Sequence, residues 1–202
     1  MIKDTDFLGS TYYLQRDKIN DLYGKKMGEV VEKIISREEE TSGKSFESNL
    51  SLGKVLTWLG LDVKIGGGLT NEKATSKEVV KELPIENKLL IALNALEKEG
   101  KCYNLNESLG QCGELKGYVY FKGYADFCLK NENPEQFIVS GKVEDFEFKS
   151  FCSQSSIFSP SLRGFLLAVS NEIGTLPIFC AGYIMALKDK TLFLTLYYIG
   201  GL

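Results

Sequence analysis

An α+β fold is predicted by three features of the chain. Apolar residues recur at helical spacing in the first half, aromatic and charged residues alternate after residue 114, and two twelve-residue apolar runs close the C-terminus. Amphipathic helices are therefore expected in the N-terminal half, and an antiparallel β-β-α-β-β sheet or small barrel in the C-terminal half. The division falls between a helical region over 1–113 and an antiparallel β domain over 114–202 that carries one helix.

The elements follow in order. A short aromatic piece, Thr11-Tyr12-Tyr13-Leu14, precedes a helix running from Arg16 to about Glu39. Its stripe of Ile19, Leu22, Tyr23, Met27, Val30, Val31, Ile34 and Ile35 has the i, i+3, i+4 spacing of an amphipathic helix and needs a surface to cover it. Gly24 and Gly28 each weaken that helix by about 1 kcal/mol relative to alanine. Ser36 to Ser45 ends in Gly-Lys-Ser like a phosphate-binding loop, but Glu38 stands where such a loop needs its first glycine, and Glu39 and Glu40 add repulsion. A frayed helix end and a solvated loop through Asn49 are expected instead. Leu59, Leu61, Val63 and Ile65 then alternate with polar residues or glycine, predicting a strand over 57–66 that ends at three consecutive glycines. A second helix spans Ser76 to Glu99, divided by Pro84. Its stronger half carries Ile85, Leu89, Ala92, Leu93 and Leu96 and stops at Gly100. A linker over 104–113 follows.

In the second half, residues 116–130 and 136–152 are alternating runs rich in Tyr, Phe and Val, separated by the turn-like Asn131-Glu132-Asn133-Pro134-Glu135. They read as an antiparallel pair. A helix over Ser161 to Glu172 comes next, and the apolar runs 176–187 and 191–202, joined through Lys188-Asp189-Lys190, read as a buried hairpin. Twelve residues fall short of the roughly 20 that a membrane-spanning helix needs. Trp58 has only Lys54 and Lys64 as basic neighbours, too few to hold it to an anionic membrane surface.

Composition excludes much chemistry. Histidine is absent, so Ser-His-Asp and Cys-His hydrolysis and the His-based zinc and iron sites are all missing an essential ligand or base. Five cysteines with no C-x-x-C pair give no zinc or thioredoxin-type motif, and Cys128, Cys152 and Cys180 lie in apolar runs where free cysteine behaves as a small hydrophobe. A net charge of -3 provides no basic footprint, so nucleic acid is a disfavoured partner. The N-terminal residues MIKDTDFLGS lack the charged-then-apolar layout of a leader, which predicts a cytoplasmic location.

One constellation could carry catalysis. On a strand from Val143 to Ser150, period two places Asp145, Glu147 and Lys149 on one face, and Glu147-Phe148-Lys149 has the E-x-K spacing of metal-dependent nucleases. Asp126 on the neighbouring strand would be the second Mg²⁺ ligand beside Glu147, with Lys149 stabilising charge at the attacked phosphate. A solvated strand face filled by ordinary charged residues gives the same pattern. Tyr118, Tyr120 and Tyr124 share a strand face like the stacking platform of a single-strand binder, although only Lys122 accompanies them.

The opening YYLQRDKINDLYGKKMGEVVEKII, with its Ile19-Asn20-Asp21-Leu22-Tyr23 core, resembles the start of an uncharacterised prokaryotic family, a domain of unknown function. The middle helix ending before Gly100 and the segment Gly141 to Phe146 are similar to that family's layout. The resemblance implies a prokaryotic cytoplasmic origin and no catalytic residue.

Taken together, the sequence predicts a non-enzymatic protein that works by association with a protein partner or with itself, through the N-terminal helical stripe and the apolar C-terminal strand, and without a cofactor. The alternatives are a Mg²⁺-dependent nuclease using Asp126, Glu147 and Lys149, and a small-ligand binder.

Overall fold

Alternating aromatic strands of this length bury one face only if the sheet folds back on itself or meets a second layer, and this chain does both. The computed structural model describes Ile2 and residues 9–42, 83–108, 116–129, 135–157 and 175–202. Within them the elements are β1 (Thr11–Leu14), α1 (Arg16–Ser42), α2 (Ile85–Lys98), β2 (Cys102–Asn104), α3 (Leu105–Ser108), β3 (Gly117–Leu129), β4 (Gln136–Val143), β5 (Phe146–Ser153), β6 (Leu176–Lys188) and β7 (Thr191–Gly201). The expected strand over 57–66 and the expected helix over Ser161 to Glu172 lie outside the described residues.

Strands β3, β4, β5, β7 and β6 close in that order into a five-stranded barrel. The sheet is therefore not purely antiparallel, as the sequence had suggested. Strands that alternate up and down around a ring of five cannot all oppose their neighbours, so one seam must be parallel, and it falls between β5 and β7. That seam is short, Glu147 to Ser150 against Thr191 to Leu194. Beyond it β1 fills the gap, pairing antiparallel with the end of β7 and bridging from Tyr13 to Ile157. Tyr13 is fully buried there, its ring edge-on to Phe137 at 5.7 Å.

A second difference concerns residues 136–152, expected as one strand. They form a hairpin of β4 and β5, with Val143 paired to Phe146 across the two-residue turn Glu144-Asp145. Glu144 takes a left-handed φ of 50°. No glycine or asparagine marks this turn, and the aromatic alternation runs through it, so pattern alone could not find it. Asp145 consequently sits in the turn and not on the strand face with Glu147 and Lys149. The β6–β7 hairpin does have the expected form: Lys188 pairs with Thr191, and Asp189 and Lys190 both have positive φ.

The expected linker over 104–113 is ordered in its described part. Asn104 ends β2, which runs parallel to β3, and α3 follows. Strand β3 changes partner along this edge, from β2 at Tyr118 to Tyr120 to β4 from Tyr124 onward. Lys122 falls in the interval, and the side chain of Asn106 stands in for the missing strand. Its Oδ1 accepts from the Lys122 N–H and its Nδ2 donates to the Lys122 carbonyl, both at 2.8 Å.

Two cores result. The barrel interior holds Tyr13, Val119, Phe121, Phe127, Phe137, Phe148, Ile178 and Leu194 among others. The second core lies outside the barrel wall, where α1 and α2 pack over Tyr120, Phe179, Ala181 and Tyr198. Residues Ile19, Leu22, Tyr23, Met27 and Val30 of the α1 stripe are all buried in it. Helix α2 is apolar on most sides because it lies within this layer. It begins after Pro84 and ends in a Schellman arrangement, with Gly100 at φ 68° and bonds from Gly100 N to Glu97 O and from Lys101 N to Leu96 O. The buried Lys26 ammonium ties α1 to the end of α2 by donating to Glu29 and, at 3.0 Å, to Glu99. Burial pulls its pKa down, and the hydrogen bonds to the two carboxylates outweigh that, leaving a net upward shift.

Candidate trough across strands β3 to β5

The helices cover only part of the barrel wall. On β3 the outward side chains Tyr118 and Tyr120 are taken up beneath them, and Tyr120 donates to Glu97 at 2.9 Å. Tyr124, the third tyrosine on this face, is 63% exposed. The three tyrosines therefore share a face, as the two-residue period requires, but do not offer a common stacking platform.

From Tyr124 onward the outward side chains of β3, β4 and β5 are exposed or half-buried among the described residues. Its register can be read as three rows running across the strands: Tyr124, Lys142 and Glu147; then Asp126, Ser140 and Lys149; then Cys128, Ile138 and Phe151. A trough of about 690 Å³ is lined by the residues of these rows other than Phe151, and by Thr175 and Thr191. That volume lies within the range of small-molecule sites. Gly141 lets the strands approach closely at its base, since a Cβ there would stand 2.0 Å from the Tyr124 carbonyl oxygen.

All three residues singled out from the sequence, Asp126, Glu147 and Lys149, line this one trough. The register nevertheless inserts β4 between the two carboxylates. Asp126 and Glu147 lie two strands and one row apart, about 12 Å between Cα atoms at ordinary sheet spacings. Two carboxylates on one Mg²⁺ bring their oxygens to within about 4 Å of each other. Asp126 instead accepts a 2.8 Å hydrogen bond from Thr175, and Lys149 extends over the Phe151 ring, 5.8 Å from its centroid. Among the described residues none of the four charged groups of the trough forms an ion pair with another, and no three His, Cys, Asp or Glu side chains gather as metal ligands.

Sequence reasoning missed Ser140, Lys142, Thr175 and Thr191. The signal for the first two was the alternation of Ile138, Ser140 and Lys142, which becomes informative only when the turn at Glu144-Asp145 brings β4 between β3 and β5. The described thiols other than Cys128 offer no nucleophile. Burial pushes Cys152 up to about 11 and Cys102 up to about 12, and Cys180 is raised as well, so all three are neutral thiols near pH 7. Among the described residues no helix is long and apolar enough to cross a membrane. No protein-family model, curated protein or solved structure gives a significant match to this chain.

Proposed function

We propose that the protein is a non-enzymatic binding module whose ligand sits in the trough across β3, β4 and β5. The observation that carries this reading is the trough in the barrel wall, rimmed by the exposed Tyr124 and lined by Asp126, Glu147, Lys142 and Lys149. The described parts of the two surfaces that suggested association from sequence are occupied by the chain itself. The described part of the α1 stripe is in the outer core, and β7 is paired on both sides, to β6 and to β5 and β1. A protein partner, if that is the ligand, would thus also meet the trough.

The test uses the thiol of Cys128, which is exposed at one end of the trough. In a chain carrying Cys112→Ser, a ligand seated in the trough slows alkylation of Cys128, and one bound elsewhere does not. Binding that leaves the alkylation rate unchanged would remove the trough from consideration.

A second reading, the Mg²⁺-dependent nuclease, is favoured by the convergence of Asp126, Glu147 and Lys149 on one trough. It requires the metal to draw Glu147 across Lys142 toward Asp126. Mn²⁺ would then broaden amide signals on both β3 and β5, and Glu147→Ala would abolish a metal-dependent cleavage of DNA. Broadening on one strand only, with no cleavage, leaves the binding reading alone.

A further inference from the structure

We infer that the ligand of the trough is a neutral, hydroxyl-rich chain, that is a carbohydrate, with Tyr124 as the platform beneath one sugar ring. This rests on the trough being a binding site and adds what it binds.

The charges decide the class. Two carboxylates and two ammonium groups alternate across the rows: Asp126 and Lys149 stand at the two ends of one row, and Lys142 and Glu147 are adjacent in the next. A polyanion laid along either row meets one carboxylate beside each ammonium group, and a polycation meets Lys142 or Lys149 in the same way. An apolar ligand would strip water from all four charges without replacing their hydrogen bonds. A polyol avoids each conflict, because every hydroxyl both donates and accepts. It can donate to Asp126 or Glu147 and accept from Lys142 or Lys149 at whichever position it falls, and bonds to charged partners are the stronger kind.

The rim supplies the other half of sugar recognition. Tyr124 is 63% exposed, and among the described residues its ring has no aromatic or cationic partner. An exposed aromatic plane beside polar groups matches a pyranose, which has one face of C–H bonds and an equator of hydroxyls. Ser140, Thr175 and Thr191 add neutral hydroxyls to the lining. A nucleic-acid strand could also stack on Tyr124, but its phosphates would find the lysines already offset by carboxylates.

The experiment applies the full-length chain to an array of neutral and acidic glycans, and in parallel measures Cys128 alkylation in the Cys112→Ser chain with the bound glycans, an oligo-dT strand and a neutral peptide. Neutral glycans are expected to be retained and to protect Cys128. Binding should change by less than about twofold between 50 and 300 mM NaCl, since no net charge is neutralised. Tyr124→Ala, a substitution at an exposed position, should weaken retention about tenfold, while its circular dichroism stays that of the parent. Protection by oligo-dT or peptide but by no neutral glycan overturns the carbohydrate assignment and keeps the trough as a binding site. Absence of protection by all three probes overturns both. Neutral-glycan retention that Tyr124→Ala leaves intact also refutes the assignment, because the ring would then not be the platform.

Discussion

Replacing Tyr13 by alanine should cost far more than its place in a four-residue strand near the N-terminus suggests. The β5–β7 seam is parallel for only four residues, and where the strands part the Tyr13 ring fills the opening, fully buried and edge-on to Phe137 at 5.7 Å. Truncating a buried aromatic removes its transfer free energy and leaves a cavity in a barrel that cannot collapse without breaking its ladders, a loss of about 4 kcal/mol. For a chain of 202 residues that is about a 12 °C drop in melting temperature. Tyr13→Phe keeps the filling and gives up the phenol's hydrogen bonds with Gln15, Cys152 and the Ser153 backbone, which costs about 1–2 kcal/mol. Urea and thermal unfolding followed by far-UV circular dichroism measure both. A shift below about 3 °C for Tyr13→Ala, with unchanged urea dependence, would mean that β1 is a peripheral strand and that the seam is closed by other means.

Three further outcomes are expected. Asn106→Ala removes both bonds to the Lys122 backbone, so the Lys122 amide should lose exchange protection while Val119 keeps its own, at a stability cost of about 1 kcal/mol; retained protection would show that another group serves the edge. Gly28→Ala, on an exposed turn of α1 with nothing near the added Cβ, should raise stability by about 0.5–1 kcal/mol, whereas Gly141→Ala, clashing with the Tyr124 carbonyl, should lower it by about 2 kcal/mol or more; urea midpoints of the two variants should move in opposite directions. Alkaline pH should destabilise the fold. Burial raises Cys152 to about 11 and Cys102, Tyr23 and Tyr197 to about 12 in the folded chain, so the unfolded chain binds fewer protons once pH passes the ordinary thiol and phenol values. The stabilisation is fully present below about pH 9 and is lost as pH rises through the folded values, so the urea midpoint should fall steadily from pH 9 to 11; a flat profile would refute it.

Elements with local signals were legible in the sequence. Pro84 and Gly100 bracket α2 because one cannot continue a helix backward and the other takes the left-handed φ that ends it. The α1 stripe from Ile19 to Val30 is buried as its spacing requires, and the apolar runs over 176–187 and 191–202 pair as a hairpin. The absence of histidine and of a C-x-x-C pair is a matter of composition, and the chemistry it removes is removed in any fold. Tertiary structure decided the rest, because each remaining feature depends on which strands become neighbours. Closure of five strands imposes the parallel seam and calls β1 in to fill it. The turn at Glu144-Asp145 has no local mark, yet it sets β4 between β3 and β5, so Asp126 faces Lys149 across Ser140 and lies far from Glu147. Helices docked on one part of the wall cover Tyr118 and Tyr120 and leave Tyr124 bare. Alternation along a strand specifies which side chains share a face, and only the packing of distant segments determines which part of that face meets solvent.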